Sequence, residues 1–143
     1  MLDRDTFNEA AVTLKFGFVT ELDEQLGRVR CRIPDMDDLE TWWLPVLHAK
    51  THRDQHWRLP DVGEHVALLL DARGETGVVL GAIFSQRDTP PVHTVNKHHV
   101  RFDDATWVEY DRAAHKLTVS CRGDIEIVSD THIALRAPRI DLN

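Results

Sequence analysis

Residues 14–33 read LKFGFVTELDEQLGRVRCRI. In the second half of this stretch Arg28, Val29, Arg30, Cys31, Arg32 and Ile33 alternate strictly, which puts three arginines on one face of a strand and three apolar groups on the other. In the first half Leu14, Phe16, Phe18, Thr20 and Leu22 take alternate positions, so a half-buried strand with that set on its core face is expected. Asp23 to Gly27 supplies the turn of a hairpin.

Beyond the hairpin, Pro34 and the acidic loop Asp35 to Glu40 break the pattern. Trp42 to Ala49 is expected to form a third strand, at a sheet edge because Pro45 has no N–H to give to a ladder. Lys50 to Gly63 is polar and irregular, long enough for a short helix or a crossing segment. Two apolar runs of strand length follow, His65 to Asp71 and Gly77 to Phe84, separated by the turn Ala72 to Thr76. A hairpin, a third strand, a long connection and a closing hairpin fit a five-stranded OB-type Greek-key barrel over residues 14–88. Residues 1–13 read as an N-terminal extension whose polar start allows a turn or two of helix.

Residues 85–96, SQRDTPPVHTVN, carry two consecutive prolines and no periodicity. They mark a semi-rigid linker, placed at 89–96, and a domain boundary. From 97 to 143 the pattern changes. Leu117 and Val119, Ile125 and Ile127, and Ile133 and Leu135 recur every eight residues, and Ile140 and Leu142 follow after seven. Each unit is one short strand with apolar residues on one face, bounded by turns such as Arg122-Gly123-Asp124 and Ser129-Asp130. One narrow ribbon of such strands cannot cover its own apolar face, so copies must share a core. Three chains wound about one axis would turn every stripe inward and pair every edge, giving a trimeric β-prism. Two packed ribbons or a short single-chain solenoid are competing solutions, since periodicity does not fix the number at three.

The 143 residues hold 17 Lys and Arg against 24 Asp and Glu, a net charge of −7, which opposes a nucleic-acid partner. The longest apolar stretch, Gly77 to Phe84, is eight residues, too short for a transmembrane helix, and MLDRDTFNEA gives no expectation of a secretory signal. Cys31 and Cys121 lie in unrelated segments and are expected to be reduced, buried thiols. His48, His52 and His56 would align on one helix face as metal ligands, but their segment is short and uncapped, so incidental histidines in a solvated connection are favoured. Neither catalytic nor metal-binding residues, nor any cofactor, are expected: Asp103-Asp104 and the Asp35, Asp37 and Asp38 group fall in turns, where Asp bonds its own backbone.

Together GFVTELDEQLGRVRCRIPD, WWLPVL, PDVGEHVALLLDARGETGVVLGAIFS, DTPPV, VRFDDATWVEYDRAAHKLTVSCRGDIEI and APRIDLN resemble the baseplate assembly protein V family. These are the central spikes of contractile-tail phages, similar in plan to the VgrG spike of type VI secretion. The resemblance covers Leu14 to Asn143. It implies an all-β protein, an N-terminal OB-fold barrel followed by a C-terminal intertwined trimeric β-helix. It implies a homotrimer in the virion's tail baseplate, assembled in the host cytoplasm, gripped by a hub protein at the OB end. On sheath contraction the needle would pierce the target cell's outer membrane. Leu117, Val119, Ile125, Ile127, Ile133, Leu135, Ile140 and Leu142 would form the trimer core. Some family members bind iron at an apex His-x-His motif; this sequence holds none, since His98 and His99 are adjacent and would face opposite ways on a strand. A blunt end is therefore expected, with Ile140, Asp141, Leu142 and Asn143 meeting a PAAR-like tip protein.

Two other readings stay open. The arginine stripe Arg28, Arg30 and Arg32 with Trp42, Trp43 and Trp57 could serve an OB-fold module that binds single-stranded nucleic acid or oligosaccharide, with an oligomerisation tail. Trp42 and Trp43 are expected instead to serve the barrel wall and a subunit contact, one ring per face. A metal-dependent hydrolase built on the His-rich loop is the third.

Overall fold

The computed structural model describes residues 12–143, which fall into two compact units, the first ending at Thr89 and the second spanning Pro90–Asn143. The expected helical turn at the N-terminus lies outside the described residues. Among the described residues there is no α-helix, and none long and apolar enough to cross a membrane.

In the first unit, β1 (Thr13–Asp23) and β2 (Arg28–Ile33) form the hairpin. Its turn is held by Asp23, whose Oδ1 accepts from the Leu26 N–H at 3.1 Å, and it ends at Gly27, whose φ of 67° suits a residue without Cβ. β3 (Leu39–Glu40) and β4 (Leu44–Pro45) both pair with β2, and β5 (His65–Leu70) joins β1 to β6 (Gly77–Ala82). The strand order is β3-β2-β1-β5-β6 with antiparallel ladders throughout. β1 bends because its register with β2 shifts between Val19 and Glu21, an irregularity that lets one strand pair with β5 in its first half and β2 in its second. A parallel bridge between Val46 and Val79 then closes the sheet on itself.

Inside lie Val19, Val29, Cys31, Ile33, Leu44, Val66, Leu68, Leu70 and Val79, with Leu22, Met36 and Val46 packed against them. The arginine strand therefore faces as its alternation predicts. The alternation in β1 does not: Leu14 and Phe16 are exposed, and the core side of the strand is Gly17 and Val19. Gly17 shows why. A Cβ there would stand 2.7 Å from both the Arg32 carbonyl oxygen and Ile33 Cδ1, so β1 lies too close to β2 for a large inward side chain. The expected third strand, Trp42 to Ala49, is also shorter than its apolar run. Pro45 cannot donate to a ladder, and the chain after it leaves β2 and joins β6 through Val46.

The second unit contains one antiparallel sheet, β7 (Lys97–Arg101), β8 (Trp107–Asp111) and β9 (Lys116–Ser120), in that order. Residues 121–143 form no strand in the single chain. The turns anticipated there are present: Ser129 Oγ accepts from the N–H groups of Thr131 and His132 at 3.2 and 3.1 Å.

Candidate functional site

Register places Val100, Val108 and Val119 in one row of the β7-β8-β9 sheet, and His98, Tyr110 and Leu117 in the next. Opposite residues in a ladder share a face, so these six make one mainly apolar surface. Leu117 and Val119 open the stripe that continues through Ile125, Ile127, Ile133, Leu135, Ile140 and Leu142. All eight are exposed, from 50% at Ile133 and Ile140 to 88% at Leu142. Past Ser120 the apolar side chains share no ladder with one another, because 121–143 takes part in no strand. Arg139 and Asp141 form a local ion pair at 2.9 Å, and Asn143 is exposed.

The other face of the sheet is polar. Glu109 is buried and receives His99 Nδ1 at 2.9 Å and the Lys97 ammonium at 3.4 Å, while His99 stacks on Trp107 with centroids 5.7 Å apart. The Lys97 ammonium and the His99 ring nitrogen together satisfy the rule that a buried carboxylate needs partners. His98 sits on the apolar side, so the adjacent histidines do point opposite ways.

On the first unit each arginine of the stripe has an acidic partner. Arg28 pairs with Asp23 at 3.1 Å, Arg32 with Asp38 at 2.7 Å, and Arg30 with Glu21 and Glu40 at 3.6 and 3.9 Å. Arg30 also donates to the Thr41 carbonyl at 2.9 Å and lies 5.4 Å from the Trp42 centroid and 6.0 Å from that of Trp43. Both tryptophans thus flank the same guanidinium, rather than taking one face each. Neutralised in this way, the stripe offers little to a phosphate backbone. The Leu26 N–H, then the Arg28 guanidinium, hold the Asp23 carboxyl below its ordinary range.

The three histidines at 48, 52 and 56 do not share a helix face. His48 stacks on Trp57 at 6.0 Å, and with Leu47, Ala49, His56 and Arg58 they line an open cavity of about 560 Å³; His52 is not in it. Among the described residues no group of three His, Cys, Asp or Glu side chains could hold a metal. Cys31 is fully buried, which pushes its thiol up to about 12, whereas Cys121 is only half-buried, contrary to expectation, because it follows the last strand of an open sheet. Sequence reasoning weighed the arginines of β2 and passed over Lys50, Arg53 and Arg58, which form no ion pair among the described residues.

Comparisons with known proteins then identify the barrel. Residues 16–84 match the model of the type VI secretion system and phage-baseplate injector OB domain. The spike protein of Escherichia phage P2 is 35% identical over 109 residues, which is 75% of this chain and 50% of that protein. An aligned stretch of that length exceeds the first unit, so the likeness runs into the second. The chain belongs to the baseplate assembly protein V and spike family. Its matched part spans about half the length of the phage P2 relative.

Proposed function

We propose that this protein is the structural central spike of a contractile phage tail or tail-like particle, a homotrimer in the baseplate that pierces the target cell's outer membrane when the sheath contracts. The observation that carries this reading is the stripe from Leu117 to Leu142, exposed along its whole length and without strand partners past Ser120. Three copies wound together would bury the eight apolar side chains about one axis and supply ladder bonds to 121–143. A narrow, fully paired prism carries axial load without any catalytic group or cofactor. The barrel end would meet the baseplate hub, and Ile140 to Asn143 would be the segment a PAAR-like tip protein meets; the phage P2 likeness supports the baseplate setting. Paired arginines and the net charge of −7 disfavour the nucleic-acid alternative.

Light scattering tests the trimer: a mass of three chains is expected at micromolar concentration, and one or two chains would overturn it. Ile127→Asp should abolish the trimer, because three carboxylates near one axis meet both desolvation and mutual repulsion. Survival of the trimer at unchanged melting temperature would show that Ile127 points outward.

A further inference from the structure

The cavity at Trp57 brings aromatic surface together with positive charge that forms no ion pair among the described residues. Trp57 is fixed from two sides, by the His48 ring and by Gly27, where a Cβ would stand 3.1 Å from the indole. The loop carrying it is closed by the His56 N–H on the Lys50 carbonyl at 2.9 Å. Even so, Trp57 is 62% and Leu47 57% exposed. From His48 to Arg58 the sequence holds Lys50, Arg53 and Arg58 against Asp54 alone, in a chain of net −7.

The complementary surface is on the same barrel. Asp35 and Asp37 are exposed and form no ion pair among the described residues, and their loop is held in place by the Arg32 to Asp38 pair. It leaves β2 at Ile33, whereas Trp57 abuts Gly27 at the strand's start. Donor and acceptor surfaces thus lie about 17 Å apart at opposite ends of β2. A surface at one end that fits a different surface at the other is the requirement for a head-to-tail contact, which closes into a ring when each step turns by the right angle.

We infer that in the homotrimer the acidic loop Asp35 to Asp38 of each copy seats on the Trp57 groove of the next copy, forming a collar. The inference rests on the trimer reading above. Exposed charge pairs are too weak to join free barrels, but barrels tethered to one needle face each other at millimolar effective concentration, where a weak contact is occupied.

A zero-length carbodiimide, which joins a carboxylate to an amine, tests this on the native chain. Copies grown in light and heavy nitrogen are co-assembled by unfolding and refolding, and peptides are read by mass spectrometry. Mixed-isotope links between Lys50 and Asp35 or Asp37 are expected, several-fold fewer in 1 M salt while the mass stays at three chains. Arg53→Glu with Arg58→Glu should lose the links at unchanged mass, and adding Asp35→Arg with Asp37→Arg should restore protection of Trp57 from acrylamide quenching. A trimer without mixed links overturns the collar and leaves the trimer reading standing. A single-chain mass overturns both. Links from Lys50 to another baseplate protein in whole tails, in place of the links between copies, would assign the groove to that protein and overturn the collar.

Discussion

From Val19 to Val79 nine apolar side chains are withdrawn from water, whereas from Pro90 to Asn143 the one buried residue is a carboxylate, Glu109. The same chain thus holds a barrel that completes its own core and a sheet whose larger apolar groups face outward. Burial of apolar area is the main drive for folding, so the first unit carries its stability within one chain, and the proposed trimer would supply to the second what one chain does not. A sequence can be patterned as regularly in the second case as in the first; what differs is whether the single chain supplies the other half of the core.

Concentration is the strongest way to break that contrast. Mass action makes a trimer gain about 5 kcal/mol per assembly for a hundred-fold rise in chain concentration, so calorimetry should show a needle transition that moves upward with concentration and a barrel transition that does not. Two transitions that both stay fixed would remove the distinction. Next in size is Leu68→Ala, which opens a cavity in the barrel and should cost about 2–5 kcal/mol, read by denaturant titration with the oligomeric mass unchanged. Gly17→Ala should cost about 1–3 kcal/mol by overpacking against Arg32 and Ile33; a neutral result would show that β1 can shift away from β2.

The smallest effect concerns acid. Backbone N–H groups, that of Glu75 foremost, hold the Asp71 carboxyl below its usual range in the β5–β6 turn, and the Thr106 N–H does the same for Asp104 in the second unit. A lowered folded pKa means stability that is present above the unfolded value near 3.9 and lost as pH falls through the folded one. Asp71→Asn should flatten the acid limb of the barrel transition below about pH 4, and Asp104→Asn that of the needle alone.

Legibility followed the same division. The β2 alternation and the closing hairpin were readable because their apolar positions face a core made by this chain, and period-2 patterning reports that directly. In β1 the larger apolar groups, Leu14 and Phe16, misled, since the side facing the core is set by the close approach at Gly17 rather than by hydrophobicity. Trp42 to Ala49 looked like one strand because the pattern does not reveal that its two ends bond to different partners. The stripe residues were visible from their spacing of eight, while the Trp57 groove was not: it depends on a loop folding back onto a turn 30 residues earlier, between Trp57 and Gly27, and no local signal encodes that.

The barrel's closure has one more consequence. β1 shares six ladder pairs with β5 and five with β2, yet the sheet is joined to itself by the single bridge of Val46 with Val79 and one bond from the Leu47 N–H to the Val79 carbonyl at 3.0 Å. Such a barrel has a clasp. Local opening there breaks one bond and leaves every ladder intact, so the Leu47 amide proton should trade with deuterium long before that of Leu68, which leaves only when the whole barrel comes apart. Under tension, the clasp is where the first unit would yield and re-form without unfolding.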